Sequence, residues 1–163
     1  MKFILFACIG ILLMTGKSHA QTTPAKTLPE FEFYRLNQSA FTNKDLPPGK
    51  ILFFMFIDTD CEHCQRAVHQ IEQDYKSFQQ TAICLVSMDD RDKINHFMAS
   101  YAPRLRTQKN VVILQDAKNQ FIAKFKPLRY PAMFLYSADN KLIDYEENEL
   151  TVFRLVNTIK KNG

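Results

Sequence analysis

The sequence predicts an α/β domain, a central mixed sheet with helices on both faces. Three observations carry this. Residues 51–57, "ILFFMFI", form an apolar run with no alternation, the pattern of a strand covered on both sides. After it, Cys64, Ala67, Val68, Ile71, Tyr75 and Phe78 recur at steps of three and four, the buried stripe of a helix. Toward the C-terminus, residues 132–136 and 141–145 flank the turn residues Ala138-Asp139-Asn140, as in a hairpin.

The elements follow in order. Residues 21–27 are polar with one proline and read as a flexible lead-in; the domain proper is expected over 28–163. Residues 31–36 suit a short strand, residues 37–43 hold turn residues, and Phe41 starts a return strand. Pro47-Pro48-Gly49 breaks the chain. The 51–57 run could also be a buried helix, but its length and its flanks, Gly49 and Asp58, favour a strand. In the helix that follows, Thr59-Asp60-Cys61-Glu62 fits the Thr-x-x-Glu capping pattern, and Asp60 is itself a good cap. Either choice places Cys61 in the first turn. Residues 82–87 read as a second buried strand and 89–101 as a helix with Ile94, Phe97 and Met98 inward. Residues 111–114 make a third strand, and 119–125 a short helix stopped by Pro127. After the hairpin, residues 151–160 close the chain with Val152, Leu155, Val156 and Ile159 on one face. This order implies a mixed sheet with both faces covered.

The chain has 163 residues, a length that suits one domain, and its 46% apolar content with 14 Phe supplies a core. The formal net charge is +4, and it falls further if Lys2 and Lys17 are lost with a leader. That is no steering field for nucleic acid. Lys2 followed by the apolar residues 3–14 and by Ser18-His19-Ala20 reads as a signal peptide over residues 1–20, cleaved after Ala20, with an uncleaved N-terminal anchor as the alternative. The apolar stretch is short for a membrane span. The expected product is an exported chain with no membrane insertion, periplasmic where the cell has an outer membrane. Cys8 lies mid-stretch, which argues against lipid attachment.

Export favours thiol oxidation. The mature chain keeps Cys61, Cys64 and Cys84. A strand that feeds Cys-x-x-Cys at a helix start is a redox geometry. Unpaired amides and the positive end of the helix dipole favour thiolate over thiol at the first cysteine. Cys61 is therefore the expected attacker, and Cys64, one turn in on the apolar face, the resolver. Protonated His63 would favour the thiolate, while Asp58, Asp60 and Glu62 push the other way. Their sum, and so the direction of electron flow, is not readable here.

Competing readings stay open. Zinc needs four ligands, and one Cys-x-x-Cys supplies two. Cys84, His69 and His96 are the remaining candidates, at no zinc-finger spacing. A structural disulfide across so short a ring gains little loop entropy. Cys84 reads as a buried inert thiol, and His69 and His96 as exposed helix residues.

Three stretches together resemble the thioredoxin superfamily, with the nearest likeness to exported TlpA/ResA-type thiol-disulfide oxidoreductases. They are "LPEFEF" at 28–33, "ILFFMFIDTDCEHC" at 51–64, and "YPAMFLYSADNKLID" at 130–144. The likeness implies a thioredoxin-like fold and protein thiol or disulfide substrates, with no cofactor beyond the Cys61/Cys64 disulfide itself. It also implies a cis Pro131 beside the cysteines and a Tyr130 backbone that pairs with a substrate strand. A periplasmic reductase of this type would draw electrons from a membrane thiol donor. Oxidase or isomerase action, or a non-catalytic binding module, are the alternatives. Peroxidases want Pro-x-x-x-Thr-x-x-Cys, which the chain lacks. It departs from the likeness at Asp60, where tryptophan is usual, and at Met55 and Ala67, where acids are common. Glu62, His63 or water would have to take over the proton transfer those acids serve.

Overall fold

The computed structural model describes residues 23–163. The expected leader, its cleavage site and Cys8 lie outside the described residues. The elements are β1 (Glu32–Arg35), β2 (Ala40–Thr42), β3 (Leu52–Ile57), α1 (Glu62–Gln73), β4 (Ala82–Ser87), α2 (Arg91–Tyr101), β5 (Val111–Gln115), α3 (Gln120–Phe125), β6 (Ala132–Tyr136), β7 (Leu142–Glu146) and α4 (Val152–Asn162). They form a seven-stranded sheet in the order β2-β1-β5-β4-β3-β6-β7. β3–β4 and β4–β5 pair parallel; β1–β2, β1–β5, β3–β6 and β6–β7 pair antiparallel.

The apolar run is buried on both faces because successive side chains alternate between two cores. Phe53, Met55 and Ile57 enter the core under α1, α2 and α4, together with Ile83, Leu85, Met133 and Leu135. Leu52, Phe54 and Phe56 enter the other core with Cys84, Val86, Phe134 and Tyr136, covered by Phe121 and Phe125 of α3. Asp116, fully buried, fixes α3 in place by accepting from the Gln120 and Phe121 amides at 3.0 and 2.7 Å. This is the expected mixed sheet with helices on both faces, a thioredoxin-like fold.

Three expectations are corrected. The described part of the lead-in is not loose. The Ala25 amide donates to Phe125 O at 2.9 Å, the Leu142 amide donates to Lys26 O at 2.8 Å, and Thr27 bridges Lys141. Its polar side chains said nothing of these backbone bonds to the end of α3 and to the hairpin. The helix expected to run through Phe78 ends at Gln73, and a 3₁₀ turn, Tyr75–Phe78, delivers the fully buried Phe78 to the core. Finally, no capping box forms at α1. Its N-cap is Cys61, with no side-chain cap bond. The Thr59 side chain is turned inward with its hydroxyl buried and unpaired, Glu62 reaches Arg66 instead, and Asp60 is held by Asp58.

Candidate active site

β3 and β4 run parallel, so their C-terminal ends meet at one edge of the sheet, and the turn into α1 is built there. The Asp60 amide donates to Asp58 Oδ1 at 2.8 Å, and the Cys61 amide to Asp58 O at 3.2 Å. The Thr59 amide donates to Asp89 Oδ2 at 2.9 Å, and that oxygen also accepts from Ser87 Oγ at the end of β4. These bonds seat Cys61 in extended backbone at the N-cap, and its carbonyl accepts from Gln65 in the first helical bond at 3.1 Å.

The two cysteines meet different environments. Both are free thiols; Cys61 is partly exposed and Cys64 is fully buried in the helix-side core. Burial pushes the Cys64 thiol far above the ordinary range. A hydrogen bond from the Asp58 backbone opposes this, while a hydrogen bond with Cys61 and the charges of Cys61 and Asp58 reinforce it. Both cysteines pack against the same helix-side core. Cys64 is thus sheltered, and Cys61 is the one of the two within reach of solvent.

The Tyr130–Pro131 peptide, which is cis, leads into β6, whose Ala132 pairs with Phe56 near the C-terminal end of β3. The Tyr130 ring lies 4.9 Å from that of Phe56 and packs against both cores. Its phenol is pushed up by burial first, then by the charges of Asp58, Cys64, Asp89 and Cys61. Tyr130 and Cys61 both pack against the helix-side core. Beside Tyr130 a cleft of about 210 Å³ opens, lined by Phe56, Ile122, Pro127, Leu128 and Arg129.

Of the residues expected to tune the pair, Asp60 and Glu62 stand away from the sulfurs. Their side chains are 82% and 81% exposed and pair with Lys93 and Arg66, each at 3.5 Å. The carboxylate charge that acts on Cys64 is that of Asp58. His63 is held from across the fold: its Nδ1 lies 2.8 Å from Glu149 Oε1 and 2.9 Å from Arg66 Nη2. Glu149 opens the 3₁₀ turn Glu149–Thr151 between β7 and α4 and also takes Arg66 Nε at 3.1 Å. Burial would raise its carboxyl, but hydrogen bonds from His63, its own backbone and Arg66 outweigh burial and hold it below the ordinary value.

Sequence reasoning passed over both Glu149 and its neighbours. The available signal was the acid-rich stretch Glu146-Glu147-Asn148-Glu149. Its three acids each take a different arginine: Glu146 with Arg154 at 3.3 Å, Glu147 with Arg129 at 2.8 Å, and Glu149 with Arg66. Arg129 adjoins Tyr130 and Arg66 lies on α1, so the stretch straps together both sides of the site.

The remaining candidates lie elsewhere. Cys84 is buried in the α3-side core. His69 faces Tyr101 O at 3.3 Å and Gln73 at 2.9 Å. Among the described residues, no group of three or more His, Cys, Asp or Glu side chains forms a metal site, and no helix is long and apolar enough to cross a membrane.

The fold and the paired cysteines together define the chain as a thioredoxin-like oxidoreductase. More narrowly, it belongs to the AhpC/TSA family, whose model matches residues 24–145. Its structure is similar to that of dsbF of MTB in mixed oxidized and reduced forms, with a TM-score of 0.70, 20% identity, and 86% of this chain and 100% of that chain covered. It is also similar to peroxidoxin BcpB of Mycobacterium tuberculosis, at a TM-score of 0.69, 15% identity and coverage of 86% and 98%. A third is a secreted Mycobacterium tuberculosis disulfide oxidoreductase homologous to Escherichia coli DsbE, at a TM-score of 0.64, 18% identity and coverage of 80% and 95%. No curated protein sequence matches the chain.

Proposed function

We propose that the chain is an exported thiol–disulfide oxidoreductase of the TlpA/ResA type, which reduces protein disulfides through Cys61 and Cys64. The observation that carries this is the pairing, three positions apart at the start of α1, of a partly exposed N-cap cysteine with a fully buried neighbour, both packed against the same core. The Cys61 thiolate attacks one sulfur of the substrate disulfide. A Cys61–substrate disulfide forms, and the other substrate sulfur leaves and takes up a proton. Cys64 then gives up its proton and attacks the Cys61 sulfur, releasing the second substrate sulfur, which is protonated in turn. The cysteine pair is oxidised to a disulfide and the substrate is reduced to a dithiol. No further cofactor enters this cycle. A thiol donor resets the pair, and for an exported chain a membrane thiol protein fits that role. The expected leader and the likeness to a secreted oxidoreductase support export.

The test is insulin reduction by dithiothreitol. The reduced protein should accelerate it and Cys61→Ser should not; equal rates for the two would dismiss the proposal. The reduction potential fixes direction: near about −270 mV indicates a reductase, near about −180 mV an oxidase or isomerase. His63 in the motif is what favours the latter.

The family match favours one second reading, a peroxidase. Cys61 would then attack a peroxide, forming a sulfenic acid with release of water or alcohol, and Cys64 would resolve it to the disulfide with loss of water. Against it, Phe54 and Asp58 stand where a Pro-x-x-x-Thr-x-x-Cys site requires proline and threonine. Hydrogen peroxide turnover that outpaces insulin reduction would decide for the peroxidase.

A further inference from the structure

His63 Nδ1 meets two partners that make incompatible demands. Glu149 Oε1, 2.8 Å away, can only accept, so that bond needs a proton on Nδ1. Arg66 Nη2, 2.9 Å away, can only donate, so that bond needs Nδ1 bare. One nitrogen cannot satisfy both at once. The arginine has other acceptors: its Nε donates to the same Glu149 oxygen and its Nη1 reaches Glu62. Glu149 is sheltered, its side chain only 11% exposed, so its charge is weakly screened. The imidazole itself is 60% exposed. The partner at Nδ1 therefore decides its state.

We propose that Glu149 is a positioning residue for the cysteine pair: it accepts a hydrogen bond from His63 Nδ1–H, keeps that nitrogen protonated against Arg66, and so fixes the protonation of the imidazole that adjoins Cys64 in the chain. This rests on the redox reading of the site. The charged groups that touch the His63 ring are Arg66, on its own helix, and Glu149, from the β7–α4 connection; Cys61, Glu62 and Cys64 lie within two positions of it in the chain. Farther along that connection, Glu146 and Glu147 are already taken by Arg154 and Arg129. Glu149 is thus the acceptor supplied to this imidazole from outside α1.

The result is a link of 86 positions along the chain between the C-terminal turn and the cysteines. Movement of the β7–α4 turn would release the Nδ1 proton and hand the nitrogen to Arg66. The imidazole would then be neutral, protonated on Nε2, with its share of thiolate stabilisation withdrawn.

Imidazole ¹⁵N NMR on the reduced protein at neutral pH, with Cys61 alkylation rates alongside, tests this. Wild type should carry the proton on Nδ1. Glu149→Ala should lose it, leaving the ring protonated on Nε2 alone, Glu149→Gln, which keeps the shape and loses the charge, should fall between, and Arg66→Ala should leave it on Nδ1. Cys61 alkylation should slow severalfold in Glu149→Ala. In a His63→Ala background the same Glu149 substitutions should change the rate less than about twofold, since well-isolated couplings vanish when one partner is absent. An unchanged Nδ1 signal in Glu149→Ala, or an equal rate loss with and without His63, would overturn the proposal. Neither readout requires disulfide exchange, so a failed insulin assay and a failed positioning role are told apart.

Discussion

Removing the ring of Phe121 probes the aromatic column that backs the active-site tyrosine. Phe121 is fully buried and stacks on Phe125 at 4.0 Å and 5° and on Phe56 at 4.3 Å and 10°. Phe56 in turn meets Tyr130 at 4.9 Å. Phe→Ala in a core costs about 3–5 kcal/mol, depending on how far the surroundings collapse. Here Phe33, Phe56 and Phe134 sit on paired strands and cannot close the gap. Phe121→Ala should therefore cost about 4 kcal/mol, a Tm fall of roughly 8–16 °C for a domain of this size. Guanidinium unfolding of the reduced protein, followed by far-ultraviolet circular dichroism, measures it, with the denaturant slope unchanged. Phe121→Leu should recover about half, because it refills most of the volume. Cys61 and Cys64 pack in the opposite core, so Cys61 alkylation of the folded variant should hold its wild-type rate. A cost under about 1.5 kcal/mol would mean that the column is not packed as described, since ring truncation in a closed core does not come so cheaply.

Two further outcomes follow from the site. Iodoacetamide at neutral pH should label Cys61 and leave Cys64 and Cys84 unmodified in the folded protein, because both are buried with their thiols pushed up by burial; peptide mapping that finds Cys64 labelled as fast as Cys61 would contradict the asymmetry. Glu149 should contribute a pH-dependent part of the stability. Its folded carboxyl titrates below its ordinary value of 4.5, so its contribution is complete above that value and is lost as the pH falls through the lower, folded one. Glu149→Gln should consequently lose more stability at pH 6 than at pH 3, and an equal loss at both would remove the ion-pair explanation.

The sheet was legible because its central strands are pure apolar runs and its helices carry clean stripes. Residues 82–87 and 132–136 match the observed strands to the residue. The cysteine pair was legible because two positions three apart on one helix need no tertiary knowledge to be placed together. What failed was long-range or competitive. Thr59-x-x-Glu62 has the letters of a capping box, but Asp89 takes the Thr59 amide from the end of β4 and Arg66 draws Glu62 outward. Asp60 and Glu62 are adjacent to Cys61 in sequence yet point to solvent, while Asp58, slightly farther away, is the acid whose charge reaches Cys64. Glu149 could not be found by spacing, since only the β7–α4 connection brings it back over α1. The acids that the family resemblance places at positions 55 and 67 are absent, and the acid that reaches the motif histidine instead comes from the far end of the chain.

The most direct test mixes the reduced protein with an excess of oxidised glutathione and follows the products by intact-mass and peptide mass spectrometry, comparing wild type with Cys64→Ala. Wild type should pass through a glutathione adduct and end as a Cys61–Cys64 disulfide, while the variant should stop at an adduct carried on Cys61. Adducts that accumulate on Cys64 or Cys84, or a wild-type product that never closes the Cys61–Cys64 bond, would show that these sulfurs do not work as a pair.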